Sequence, residues 1–392
     1  MPDNVVVVGA GQAAAQLAIS LRQGGFAGGV LLLGDEAYLP YQRPPLSKKF
    51  LAEPARPDSL LLRPAGFWRD HDVAVGVGTP VADLDLNGGH IGLLDGHEIG
   101  YGMLVLATGT RARRLAVPGV ELAGVFSVRR IDDVRLLRPA LDAARKIVII
   151  GGGYIGLEVA AVMRGEGRGV TVIEAEERVM KRVTGEIVSS FFEQVHRERG
   201  VEIRLNARLV AIEGDRHVAG VRLADGAILS ADLVLVATGA RANDDLAAAA
   251  GLACEDGIIV DEFARTAVPN VYAVGDCARF PSRRFGRRLR LECVQNAIDQ
   301  AKAAAATILG QPQPYDPVPW FWSDQYDIKI QMAGLMDGHD SAVAVGDPAR
   351  GRFSVDYRSN GRLIAVDAVN DGRAHMLGRR RVAEETAQIP VA

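Results

Sequence analysis

At 392 residues the chain has room for two or three compact domains, and 48% hydrophobic with 24% charged residues is the make-up of an ordinary globular protein, not of a disordered or fibrous one. With 45 basic residues against 48 acidic the net charge is −3, so no overall field draws the chain onto nucleic acid or anionic lipid. Cys254, Cys277 and Cys293 form no C-x-x-C or C-x4-C pair and the seven His form no H-E-x-x-H, which argues against a resident metal, iron–sulfur cluster or redox dithiol. No stretch approaches the roughly 20 apolar residues of a membrane span, and a reducing cytoplasm is the expected location.

The apolar run Val5 to Val8 reads as a strand buried in a parallel sheet. Gly9-Ala10-Gly11-Gln12-Ala13-Ala14 follows directly, then an Ala-rich helical stretch ending at Gly24-Gly25, then a strand from Val30 to Leu33 with Asp35 behind it. Glycines permit the tight turn and bring main-chain N–H groups at a helix N-terminus up to a pyrophosphate. A small third residue, here Ala14, lets helix and strand pack closely, and an acid about 20 positions on completes a dinucleotide-binding βαβ pattern.

The pattern recurs. Ile147 to Ile150 is the strand, Gly151-Gly152-Gly153-Tyr154-Ile155-Gly156 the loop, a helix runs to about Arg164, and Val170 to Ile173 ends in Glu174. Each unit closes alike, with Leu104 to Gly109 in the first and Leu235 to Gly239 in the second. Two bound nucleotides are implied. Further on, Val271 to Asp276 is a short strand ending in Gly-Asp, which alone would be an ordinary turn. Beside two nucleotide loops it resembles the ribityl-binding carboxylate of FAD flavoproteins, and it implies that the second unit is inserted into the first. The Pro-containing stretch from Gly310 to Pro319 reads as a linker, and the tail beyond it as a small β or α+β domain with runs Ile328 to Met332, Phe353 to Tyr357 and Leu363 to Val369. Asn360-Gly361 is a hairpin turn signal.

Four strings, R-P-P-L-S-K ending at Lys48, I-G-G-G-Y-I-G-L-E ending at Glu158, V-G-D-C-A-R-F from Val274 and W-F-W-S-D-Q from Trp320, together resemble the oxygenase-coupled, NADH-dependent ferredoxin reductases from residue 4 to about residue 370. Disulfide reductases of related architecture carry a C-x4-C dithiol where this chain has Pro40 to Lys48 without cysteine, which excludes dithiol relay chemistry. The resemblance implies an α/β fold of two Rossmann-like dinucleotide-binding domains, glutathione-reductase-like, with a small C-terminal α+β domain. Its boundaries would be an FAD domain at 1–112 and 241–313, an NAD domain at 113–240 and an interface domain at 314–392. The implied reaction is hydride transfer from NADH to FAD, then single-electron delivery to a [2Fe–2S] ferredoxin serving a cytochrome P450 or a ring-hydroxylating oxygenase.

By the same resemblance Gly9, Gly11, Ala13 and Ala14 meet the FAD pyrophosphate, Asp35 the adenosine ribose, and Arg43 and Lys48 the flavin, with Val81, Arg129, Asp276 and Val294 completing the site. Arg130 follows Arg129, so either could fill that place. Lys48 beside the flavin would favour its reduced, anionic form, and Glu158, expected in the first turn of its helix, pairs with it near the nicotinamide. The NADH site takes Gly151, Gly153, Tyr154, Ile155, Gly156, Glu174, Arg182 and Gly239. A carboxylate at Glu174 accepts from a ribose 2′-hydroxyl and repels a 2′-phosphate, favouring NADH, although Arg178, Lys181 and Arg182 stand near enough to hold a phosphate. Trp320 and Trp322 share one strand face, and either could flank the electron route.

Arg279, Arg283, Arg284, Arg287, Arg288 and Arg290 fall within one stretch free of acidic residues, expected as a docking patch for an acidic ferredoxin; no aromatic interleaving points to nucleic acid. Two other readings stand beside this one: an NADH oxidase or rubredoxin reductase on the same scaffold, and an NADH-sensing flavoprotein like apoptosis-inducing factor.

Overall fold

A computed structural model describes residues 4–53 and 56–387. The run Asn4–Val8 forms the middle strand of a five-stranded parallel sheet, because Val5, Val6 and Val7 are covered on both faces and bury all their apolar surface. Gly29–Leu33 and Val73–Gly76 lie to one side, Met103–Leu106 and Val271–Ala273 to the other. The second glycine loop stands on a sheet of the same order, with Lys146–Ile150 central, Gly169–Ile173 and Glu202–Arg204 on one side and Leu233–Val236 and Val125–Phe126 on the other.

The outer strand on the far side differs in origin. In the first sheet Val271–Ala273 arrives after the whole second unit has been made, so the second unit is an insertion in the first. The chain crosses between units through Thr110–Ala112 and Ala240–Ala242, which pair antiparallel with Arg111 opposite Arg241. Asn243 pins this crossing, its amide donating to the Thr108 carbonyl at 2.8 Å while its own carbonyl accepts from the Thr108 hydroxyl at 2.6 Å.

Two helices hold the first loop in place. Gln12–Gln23 packs on Val294–Ile308 through Ala14, Ala18, Ala301, Ala304 and Ala305, all buried, and these small side chains let the axes come close. The C-terminal domain is a five-stranded antiparallel sheet of Trp320–Gln325, Ile328–Gly334, Ser341–Asp347, Arg352–Ser359 and Arg362–Val369, covered by the helix Gly372–Thr386. Asn360 and Gly361 both turn at positive φ between its last two strands, as a two-residue hairpin requires.

The expected α+β domain allows for the closing helix without placing it, and the edge strand Ser341–Asp347 is not among the expected runs. The helix has low mean hydropathy, and its buried stripe of His375, Gly378, Val382 and Thr386 is mostly small or polar, so a search for apolar periodicity passes over it. Gly378 is needed there because a Cβ would meet Val366 at 2.8 Å.

Candidate functional site

Both glycine loops carry the geometry of a phosphate cradle. Gly9 turns at φ +114° and Gly151 at +106°, and a Cβ on either would strike the carbonyl of Ala107 or Ala237, the alanine that begins each Ala-Thr-Gly closure. Gly156 presses onto the Gly151 carbonyl in the same way, whereas fully buried Ala14 occupies the corresponding place in the first loop. Gly11 and Gly153, the residues that precede each helix, face open space, with no atom within 4 Å of a built Cβ. That space at a helix N-terminus is where a pyrophosphate would lie.

The acids that follow the second strands are not equivalent. The Gly9 amide donates to the Leu33 carbonyl and the Gly151 amide to the Ile173 carbonyl, which aligns Glu174 with Gly34 and sets Asp35 one residue further on. Glu174 bends back onto its own loop, accepting from the Gly152 amide at 2.7 Å and the Glu176 amide at 3.1 Å. Asp35 is ion-paired with Arg130 at 2.7 Å, and its neighbour Glu36 with Arg43 at 2.6 Å and the Tyr41 hydroxyl at 2.6 Å.

Asp276 ends its strand as expected and pairs with Arg129 at 2.9 Å, with Thr110 bridging the two. Arg129 and Arg130 therefore both reach the first site, one at Asp276 and one at Asp35. Val294 is the first residue of its helix and lines the cleft described below, while Val81 starts the strand Val81–Asp85 of a small antiparallel sheet and packs into the core beside it.

Lys48 and Glu158, 110 positions apart in sequence, meet as an ion pair of 2.8 Å. Lys48 sits at the junction of the short turn Pro44–Ser47 and the helix Lys49–Ala52, a segment anchored by buried Leu46 and Leu51. Glu158 is the fifth residue of the helix Tyr154–Gly165, so it stands in the second turn and not the first. The macrodipole therefore does not account for it. At 2% exposure it is held instead by three donors, the Lys48 ammonium, the Ser47 hydroxyl at 2.5 Å and the Ser323 hydroxyl at 2.6 Å. Neither serine was singled out in the sequence. Ser47 stands inside the R-P-P-L-S-K string and Ser323 inside W-F-W-S-D-Q, but neither string says that its serine meets Glu158.

A cleft of about 460 Å³ opens beside this pair, lined by Gln12, Pro44, Lys48, Val294 and Trp322 among others. Trp322 is thus the aromatic at the cleft. Trp320 shares its strand face, with ring centroids 5.8 Å apart, but turns toward the closing helix, against His375 and under the Arg379 guanidinium. Phe321, on the opposite face, packs on Tyr154 at 4.9 Å.

At the second loop Ile155 is 42% exposed, an apolar side chain bared beside the open cradle. Of the three nearby cations, Lys181 is held by Glu176 and Glu177 and Arg178 is turned inward to Thr184 and Ser189. Arg182 alone of the three is exposed and unpaired among the described residues, with its guanidinium 3.7 Å from a Cβ built on Gly239. Burial pushes the Cys254 thiol up to about 11 and Cys293 up to about 12, so neither is a ready nucleophile, and buried Cys277 is raised as well.

The arginine stretch is less bare than its sequence suggests. Arg279 and Arg290 pair with Asp256, Arg283 with Glu262 and Arg287 with Asp337, all acids from elsewhere in the chain. Arg284 reaches the Ala383 carbonyl and Thr386 hydroxyl of the closing helix, leaving Arg288 with a single bond to the Val260 carbonyl.

The residues present fit two dinucleotides. The open cradles at Gly11 and Gly153 are one sign, and the buried Thr238 hydroxyl and Gln300 Nε2, each without a hydrogen-bond partner among the described residues, are another. The first set would hold FAD, with Asp276, Arg129, Arg43 and Lys48 along it; the second would hold NADH, with Glu174 at its ribose.

A pyridine nucleotide-disulphide oxidoreductase family model matches residues 3–301 and a reductase C-terminal model matches residues 320–392. The chain is 46% identical to a ferredoxin–NAD(P)(+) reductase of Sphingomonas sp over 97% of its length and 92% of that protein's. Its fold superposes on the ferredoxin reductase for the CYP199A2 system from Rhodopseudomonas palustris with a TM-score of 0.94 at 43% identity, covering 96% of this chain and 93% of that one. It superposes equally, at 39% identity, on the reductase in a covalent putidaredoxin reductase–putidaredoxin complex, covering 97% and 93%.

Proposed function

Because this chain belongs to the pyridine nucleotide-disulphide oxidoreductase family, and within it to the ferredoxin reductases, we propose that it carries electrons from NADH through FAD to a [2Fe–2S] ferredoxin that supplies a cytochrome P450 or ring-hydroxylating oxygenase. The observation that supports this most is the ion pair of Lys48 and Glu158, one residue from each glycine-loop unit, beside a cleft that Trp322 lines. Bound FAD accepts a hydride and releases electrons one at a time, chemistry that no side chain here supplies.

The chain's own groups position and polarise. Gly11 and Gly153 leave room for the two pyrophosphates, the Asp276–Arg129 pair orders the polar wall of the first site, and with FAD bound the Lys48 ammonium would oppose negative charge on the reduced cofactor. Glu174 favours NADH. Two of the three nearby cations already have partners, which leaves Arg182 alone to meet a 2′-phosphate.

The ferredoxin we propose is acidic and approaches the cleft mouth. Arg283, Arg287 and Arg288 are exposed members of the arginine stretch, and their ion pairs to Glu262 and Asp337 are surface pairs that an acidic partner can displace. Replacing Arg287 and Arg288 with Ser should raise the KM for ferredoxin and flatten its salt dependence, while Arg284→Ser should lower stability by loosening the closing helix. An unchanged KM removes these arginines from the docking site. Three free cysteines suit a reducing, cytoplasmic setting.

The whole reading is tested by adding a [2Fe–2S] ferredoxin, a rubredoxin or oxygen to the NADH-reduced protein. Fast reoxidation by the ferredoxin supports it; fast reoxidation by rubredoxin or oxygen alone contradicts it.

A further inference from the structure

Ser323 lies on the strand Trp320–Gln325 of the C-terminal domain, yet its hydroxyl is 2.6 Å from a carboxylate oxygen of Glu158. It is the near end of a buried chain of polar groups. Gln325 places its amide nitrogen 3.3 Å from the Ser323 oxygen and its amide oxygen 2.9 Å from His196 Nε2, and His196 Nδ1 is 3.3 Å from the Tyr326 hydroxyl. Ser323, Gln325 and His196 are fully buried.

Chemistry gives this chain a direction. Burial drives His196 down to about 4, so near neutral pH it carries one N–H. The Gln325 amide oxygen only accepts, so that hydrogen is on Nε2 and Nδ1 accepts from Tyr326. The Gln325 amide then donates to Ser323, whose single hydroxyl hydrogen is left for Glu158. Every donor points toward Glu158, and hydrogen bonds aligned in series strengthen one another.

We propose that Ser323 is a positioning residue for hydride transfer: directed by Gln325 and His196, it holds one oxygen of Glu158 so that the other faces Lys48. The proposal rests on the electron-transfer reading above. It makes the C-terminal domain part of the hydride site, so that Glu158 is aligned only when all three domains are docked. The titratable groups around Glu158 are Lys48 and, one turn back on its own helix, Tyr154; His196 and Tyr326 stand at the far end of the chain.

The test compares the holoenzyme with its Ser323→Ala and Ser323→Thr variants by spectroelectrochemistry across pH and by anaerobic mixing with NADH. In Ser323→Ala the buried carboxylate has one donor fewer and is no longer held toward Lys48. The plot of flavin midpoint potential against pH should therefore be displaced from that of the unaltered enzyme. The limiting rate of reduction should fall on the order of tenfold, the scale seen when the partner that orients a ligating group is removed, with the half-saturating NADH concentration unchanged. Ser323→Thr should restore both. A merely structural serine would lower stability and leave the potential plot in place. Wild-type potential plot and rate in Ser323→Ala overturn the proposal. If that variant loses flavin, Gln325→Met, which removes the donor that directs Ser323, decides by the same two readouts. An unaltered enzyme that NADH does not bleach sinks the electron-transfer reading, and this proposal with it.

Discussion

Beside the first glycine loop, Asp35, Glu36 and Asp276 each carry an arginine: Asp35 with Arg130, Glu36 with Arg43, Asp276 with Arg129. The second unit has the same sheet order and the same loop, but among the described residues Glu174 takes only backbone amides and Arg182 is unpaired, and Ile155 is bared. One scaffold has thus been given two surfaces. A wall of mutually fixed charges suits a cofactor that stays, and an open cradle with free groups suits one that comes and goes.

The sharpest way to break this contrast is to block each loop in turn. Gly9→Val would place side-chain atoms against the Ala107 carbonyl at a φ that valine rarely adopts, and the purified protein should lose its flavin, read as lost absorbance near the yellow flavin band. Gly151→Val should keep the colour and lose bleaching by NADH. If both variants lose flavin equally, the two sites are not separable in this way.

Next in size is an effect of pH where the second unit meets the C-terminal domain. Burial raises Asp367 from 3.8 to about 6, with Thr184 and Tyr357 donating to it. A carboxyl whose folded value is raised binds its proton more tightly when folded, so stability falls as pH climbs from about 4 to about 6 and is then level, by on the order of 3 kcal/mol. His196, held neutral down to about 4, acts in the opposite sense over much of that range. The signal is therefore the difference between Asp367→Asn and the unaltered chain in denaturant melts at each pH, and a difference independent of pH contradicts the assignment.

Arg129→Ala should leave Asp276 without its charged donor and weaken FAD binding by about 2 kcal/mol, measured by flavin release under dilution, with little change in the Kd for NADH. The smallest effect is expected at Glu174. Glu174→Ala should raise the NADPH to NADH ratio of kcat/KM about tenfold, and Arg182→Ala on top of it should take much of that gain away. A ratio that does not move would show that Glu174 serves its loop and not the ribose.

The two loops and the inserted order of the units were legible because they rest on local patterns: apolar runs, glycines at fixed spacing, an acid after the second strand. Lys48, Glu158 and Asp276 were reached through motif strings. What stayed hidden depends on long-range approach. Ser323 stands in the W-F-W-S-D-Q string, but nothing in that string points to Glu158, 165 positions away. The arginine stretch read as a positive patch, because its neutralising partners Asp256, Glu262 and Asp337 come from other segments. Glu158 was expected in the first helical turn; its place in the second shows that hydrogen bonds and not the helix dipole keep it buried.

In the proposed mechanism one resident flavin, set between the two units, is reduced by NADH bound at the second loop, and anaerobic titration of the purified protein with NADH reads that step. The protein should be yellow, bleach fully at one equivalent of NADH per flavin and regain its colour on adding two equivalents of oxidised [2Fe–2S] ferredoxin. A colourless folded protein, or a flavin spectrum that NADH leaves unchanged, would contradict it.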